Sequence, residues 1–139
     1  MAEIKIRELS IGDWVRYDRG TDAVQIMGIY VRNNQECVVM SDSYFPDGVI
    51  GFVECIKPIP LTREILEKNG FVKKNYDNGK MWDWWCDNVL VRKYADEDIY
   101  RFIVVFNSKH YTTMMVVGKH THQLQHALRL AGIGKEIEL

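Results

Sequence analysis

The sequence predicts an α+β protein: a small β-barrel, a connecting helix, an antiparallel meander and a C-terminal helix. Three observations predict it. Residues 14–56 hold short β-branched and aromatic runs divided by Gly, Asn and Asp, the pattern of closely spaced strands and turns. Pro58 and Pro60 then end that pattern. Beyond them, one helical segment and a series of further strands lead into an amphipathic helix over the last twenty residues.

The elements follow in order. Gly12-Asp13 precede a strand over 14–17, and 18–22 form a polar turn around Gly20. A partly alternating strand covers 23–32, Asn33-Asn34 turn the chain, and 36–40 return. Residues 41–48 form a loop whose turn signal is Pro46-Asp47-Gly48. Residues 49–56 read as one or two more strands. The stretch IGDWVRY is similar to the first strand of an SH3-like small barrel, which gives the first domain, 1–60, its expected fold. The second domain is 61–139. Thr62 can cap a helix over 63–68, with Ile65 and Leu66 inward, and Asn69-Gly70 stop it. Strands over 71–76 and 81–86 flank an Asn78-Gly79 hairpin turn. Strands over 88–94, 99–106 and 110–117 complete the meander. Thr121 is the expected N-cap of the last helix, and Gly132 its stop. Residues 135–139 read as a short edge strand.

That last helix divides its residues by spacing. Leu124, Ala127, Leu128 and Ala131 share the face that packs on the meander. His122, Gln125, His126 and Arg129 share the opposite face, expected to point outward as a binding surface. His122 and His126 lie at the i, i+4 spacing of helical zinc sites, and His120 offers a third imidazole. His110 completes a set of four within seventeen residues. No Glu follows His122 as in the HExxH pattern, so the histidines read as surface and no metal or other cofactor is expected.

The segment Met81-Trp82-Asp83-Trp84-Trp85-Cys86 is the second candidate. On a strand, Trp82 and Trp84 take one face, and Asp83 and Trp85 the other. Trp85 is then left on the second face beside a charge, where it can anchor a protein interface or stack on a base. Arg92, Lys93, Arg101, Lys109, Lys119 and Arg129, with Tyr94, Tyr100 and Tyr111, could line a nucleic-acid groove, but Asp83, Asp87 and residues 96–98 dilute the charge.

Composition restricts the function classes. Eighteen basic and nineteen acidic side chains leave a net charge of -1, which offers no general attraction to nucleic acid. Cys37, Cys55 and Cys86 are scattered and form no CxxC pair, so a disulfide framework is not expected. The first residues lack the apolar core of a signal peptide, and no run is long enough to span a bilayer. These features suit a cytoplasmic protein with no membrane partner. Cys86 neighbours an acid, Ser41, Ser43 and Ser108 lie in turns without a nucleophile elbow, and the glycines form no phosphate loop. The chain is therefore not expected to be an enzyme. The expected function is a noncatalytic interaction module binding protein, including a second copy of itself, through Trp85 or the helix face. The alternatives are a nucleic-acid-binding accessory protein of a mobile element, and a small-molecule or nucleotide binder.

Three stretches carry a resemblance: IRELSIGDWVRY, KPIPLTREILEKNGF and HQLQHALRLAGIGKEIEL. They resemble a family of small proteins of gut bacteria of the Bacteroides type, often encoded in mobile or prophage-like regions. The Trp-rich middle is outside that pattern. The resemblance implies a bacterial cytoplasm and an accessory role in a mobile element, and it assigns no functional residue.

Overall fold

The computed structural model describes residues 5–17, 23–41, 45–76, 79–107 and 112–139. The chain divides into two compact units, Met1–Ile59 and Pro60–Leu139. Both belong to a mixed α+β chain built mainly from two antiparallel five-stranded sheets, with two α-helices in the second unit. Among the described residues no helix is long and apolar enough to cross a membrane. The expected turn at 18–22 lies outside the described residues. So do Ser43, Asn78, Ser108, Lys109, His110 and Tyr111.

In the first unit, a short 3-10 turn, Ile6–Glu8, leads to β1 (Trp14–Tyr17). Then come β2 (Ala23–Arg32), β3 (Gln35–Ser41), β4 (Val49–Phe52) and, after a 3-10 turn at Val53–Cys55, β5 (Ile56–Pro58). The strand order is β4-β3-β2-β1-β5. The Gly12-Asp13 signal is a fastening. Asp13 is buried, its carboxylate accepts from the Ser10 N–H at 2.8 Å, and its carbonyl accepts from Ile26 N–H at 2.9 Å. The start of β1 is thereby tied to β2.

Asn33 and Asn34 both have positive φ, 50° and 62°, the backbone that a two-residue hairpin turn between right-twisted strands requires. The imperfect alternation of β2 has a cause. The β2–β3 register shifts between Ile26 and Gly28, and across this bulge the core-facing positions pass from Val24 and Ile26 to Ile29. Pro58 is the last residue of β5, opposite Val15, so the sheet ends at this proline as expected, with the proline itself inside the strand. Because β5 is an edge strand, the missing N–H costs no ladder bond. The sheet curls: a Cβ added at Gly51 of β4 would lie 2.8 Å from the Tyr17 ring of β1. A side chain here would press on the Met40 methyl and the Tyr17 ring, so glycine leaves room for both. Leu9, Val15, Ile26, Val38, Met40 and Ile56 form the enclosed core. No ladder joins β4 to β5 among the described residues, so the sheet's hydrogen bonding is open.

In the second unit, α1 (Arg63–Lys68) is capped as its sequence predicts, with Ile65 N–H donating to Thr62 Oγ1 at 3.3 Å. Then follow β6 (Val72–Tyr76), β7 (Met81–Cys86), β8 (Val89–Tyr94), β9 (Tyr100–Asn107) and β10 (Thr112–Gly118). They form a pure meander, β10-β9-β8-β7-β6. The last element is α2 (Thr121–Leu130). Its N-cap is His120, one residue before the expected Thr121. The side-chain oxygen of Gln123 accepts from the Lys119 and His120 N–H groups at 2.8 and 3.0 Å, so the helix closes a residue early. The Thr121 hydroxyl is buried and has no hydrogen-bond partner. Gly132, at φ 73°, ends the helix as expected.

One face of this sheet carries the core. Trp84, Val91, Phe102 and Val104 meet Leu124 and Leu128 of α2, and Leu66 of α1 and Phe71 close the same cluster. The tail beyond α2 is not the expected edge strand. It runs back as irregular chain, and side chains satisfy its backbone instead of a neighbouring strand. Asn69 brackets Glu138, donating to its carbonyl and accepting from its N–H, both at 2.7 Å. Its amide also bonds the Ile65 carbonyl. Ile137 enters the core beside α2.

Leu128 is about 1% exposed at the centre of this seam. Leu128→Ala should lower stability by about 2–5 kcal/mol in urea unfolding, from lost transfer energy plus a residual cavity. Leu128→Asp should abolish the cooperative transition of the second unit, read by loss of the Trp near-ultraviolet circular dichroism.

Candidate functional site

The helix face expected to point outward does not. His122 is 3% and Gln125 2% exposed, and His126 and Arg129 are half-buried. The cover on Gln125 is the tail. Gln125 Nε2 donates to the Lys135 carbonyl at 3.0 Å, and its Oε1 accepts from Ile137 N–H at 2.7 Å. Arg129 reaches Glu136 at 3.3 Å, and Lys68 of α1 bonds the Leu139 carbonyl. The Gln125 side of the polar face is thus taken up by folding. A glutamine amide carries both a donor and an acceptor, and here it imitates one rung of a β-ladder for chain that has no strand partner.

The histidines of this region form a stack of rings. His120 and His122 lie nearly parallel with centroids 5.8 Å apart, and His126 meets His122 edge-on at 5.6 Å. Among the described residues no group of three His, Cys, Asp or Glu side chains could hold a metal ion.

The Trp segment behaves as a strand of period two. Trp84 is buried against Tyr100, with ring centroids 6.3 Å apart, and Trp82 packs on the same core. Asp83 and Trp85 take the opposite face. Trp85 is half-buried, with the Lys74 ammonium 5.8 Å from its ring centroid.

Register builds two rows across that face. In the first, Val72 lies opposite Trp85, Trp85 opposite Leu90, Leu90 opposite Ile103, and Ile103 opposite Met115. It is apolar across all five strands. Its ends are open, Val72 at 63% and Met115 at 61% exposure, whereas Leu90 at its centre is buried. In the second row, Lys74, Asp83, Arg92 and Arg101 face one another in succession, with Val117 beyond. Here the charges are paired. Arg92 grips the wholly buried Asp83 carboxylate with two bonds, Nε–Oδ1 at 2.8 Å and Nη2–Oδ2 at 2.9 Å. That contact raises the Arg92 pKa still further above the ordinary arginine range. Arg101 pairs with Glu97, which its guanidinium holds below the usual carboxylate range, and it stacks 4.6 Å over the Tyr94 ring. Lys119 similarly pairs with Asp98 at 2.8 Å.

Sequence reading singled out Trp85 but missed Val72, Leu90, Ile103 and Met115. The signal was present in part: 72, 85, 90, 103 and 115 become one row once each hairpin's register is fixed. Both helices lie on the other face of the sheet, since their buried residues belong to the cluster around Trp84 and Phe102. In the first unit, a shallow depression is lined by Asn34, Gln35, Glu36, Phe52, Val53 and Glu54.

Comparison of the chain with family models, with curated proteins and with solved structures finds no match.

Three substitutions test these assignments. Arg92→Met leaves the Asp83 carboxylate buried without its partner and should cost about 3–5 kcal/mol, whereas the joint change Arg92→Met with Asp83→Leu should recover most of that loss. Gln125→Ala removes both tail bonds and should cost about 1–3 kcal/mol, with faster hydrogen exchange at Ile137 than at any β8 amide.

Proposed function

We propose that this chain is a noncatalytic interaction module that binds protein through the second face of its C-terminal sheet. The carrying observation is the apolar row Val72, Trp85, Leu90, Ile103 and Met115, open at both ends and not covered by either helix of its unit. An apolar strip rimmed by paired charges is the composition of a protein-binding patch. Trp85, half-buried and braced by Lys74, supplies a rigid aromatic near the Val72 end. The helix face of His122, Gln125, His126 and Arg129 drops out as a docking surface, because its Gln125 side is already engaged by the tail.

The nucleic-acid reading is weaker on this face. Its arginines are held by Asp83 and Glu97, so a phosphate would have to displace a carboxylate from each. For the first unit we read an SH3-like barrel. The strand order, the 3-10 turn between β4 and β5 and the Tyr17 ring against Gly51 support it. The same proposal includes a cytoplasmic accessory role in a Bacteroides-type bacterium, in line with the resemblance of the three sequence stretches and with three free thiols.

Val72→Asp places a charge at the open end of the row without touching the core. Affinity purification from the native cell with wild type and Val72→Asp in parallel should recover a partner that the variant binds at least about tenfold more weakly. Equal recovery by both chains overturns the assignment to this face. Recovery of nucleic acid that is lost as salt rises would favour the nucleic-acid reading instead.

A further inference from the structure

The first unit carries an apolar surface that its own core does not use. Val38 and Met40 of β3 and Gly51 of β4 face the enclosed core, so Cys37, Val39, Ile50 and Phe52 take the outer face. Register extends this face onto β2. Phe52 lies opposite Cys37 and Cys37 opposite Tyr30, while Ile50 lies opposite Val39 and Val39 opposite Gly28. Ile50 and Phe52 are both exposed. At the end of the face Phe52 joins the depression lined by Asn34, Gln35, Glu36, Val53 and Glu54. Its volume is about 220 Å³. Small-molecule sites run to roughly 300–1,000 Å³, so this one suits a single side chain. The whole lining lies among the described residues, as do its flanks at 31–41 and 45–58.

Charge decides what this surface receives. In residues 1–59 acidic side chains outnumber basic ones, nine to six. Glu36 and Glu54 are exposed, and neither has a hydrogen-bond or ion-pair partner among the described residues. Arg32, opposite Gln35 in the ladder, pairs with neither. The acids of the second unit differ, since Asp83, Glu97, Asp98 and Glu136 each hold a cation. We propose that the outer face of β2, β3 and β4 docks an apolar segment of a partner protein that seats one arginine in the depression. Arginine fits the lining in three ways. Its five N–H donors match the Glu36 and Glu54 carboxylates and the side-chain oxygens of Asn34 and Gln35. Its planar cation stacks on an aromatic ring, which Phe52 supplies. It is also more weakly hydrated than a lysine ammonium, so it leaves water more readily. Apolar residues beside the arginine then lie along Ile50 and Tyr30. The site belongs to the first unit and stands apart from the row on the second sheet.

The test uses the full chain and two probes: the peptide acetyl-Leu-Ala-Arg-Ala-Leu-amide, and the same peptide with uncharged citrulline in place of arginine. Titration followed by backbone amide chemical shifts should give saturable changes at 34–36 and 52–54 with the arginine peptide. The citrulline peptide should bind at least about tenfold more weakly. Glu36→Gln with Glu54→Gln should weaken the arginine peptide by about the same factor and leave the melting temperature unchanged, because both carboxylates are exposed. Asp47→Asn, at an exposed acid before β4 and outside the depression, should leave the affinity as it is. Phe52→Ser keeps the proposal testable should the glutamine variant fold poorly, since it removes the stacking ring, retains both carboxylates and should also weaken binding. Absence of shifts up to millimolar arginine peptide overturns the proposal. So do equal affinities for the two peptides, and shifts that map away from the depression. Val72→Asp lies in the second unit and should leave the peptide affinity unchanged. Failure of this site and failure of the sheet-face reading are thus seen separately.

Discussion

Asp83 is the constraint on which the second sheet depends. Its side chain is wholly buried, yet it lies on the face away from the helices, bound to Arg92 through both carboxylate oxygens. A strand has a period of two, so a slip of one residue in β7 would drive this carboxylate into the apolar cluster and expel Trp84. Burying an unpaired charge costs far more than any packing gain from such a slip. The pair therefore fixes which face of β7 receives the helices. Through the ladders it also fixes which residues of β6, β8, β9 and β10 line up on the other side.

The C-terminal helix depends on this choice of face and adds a second condition. Leu124 and Leu128 require an apolar floor, which Val91, Phe102 and Val104 supply. The opposite side of the helix is then closed by chain that has no regular structure of its own. Irregular backbone near a core must have its N–H and C=O groups satisfied by something other than a ladder. Two amides do this here. Asn69, just past α1, brackets Glu138, and Gln125 on α2 links Lys135 and Ile137. The two ends of the second unit are therefore joined by side-chain amides, which carry Ile137 into the core.

The arrangement leaves function to the surface that folding did not use. The helix face rich in His, Gln and Arg is partly consumed by packing, and the arginines of the open sheet face are held by acids. Among the described residues of the second unit the apolar row remains. It derives from the register of the five strands, and Met115 ends it.

Local chemistry made much of the fold legible. Thr62 and the Asn69-Gly70 stop framed α1, Gly132 ended α2, and alternation through 81–86 assigned the tryptophans to faces correctly. These features depend on neighbours within four residues, so the sequence by itself determined them. Contacts between distant residues were decided only in the tertiary structure. The burial of Gln125 needed a tail ten residues away to turn back, and periodicity cannot distinguish a glutamine facing water from one facing a carbonyl. The cap of α2 moved to His120 because Gln123 reached it before Thr121 could serve. Pro58 stayed in the sheet because β5 lies at an edge. The apolar row joins five strands whose order and register no single strand encodes, because a ladder is specified by pairs of segments and the sequence shows each segment alone.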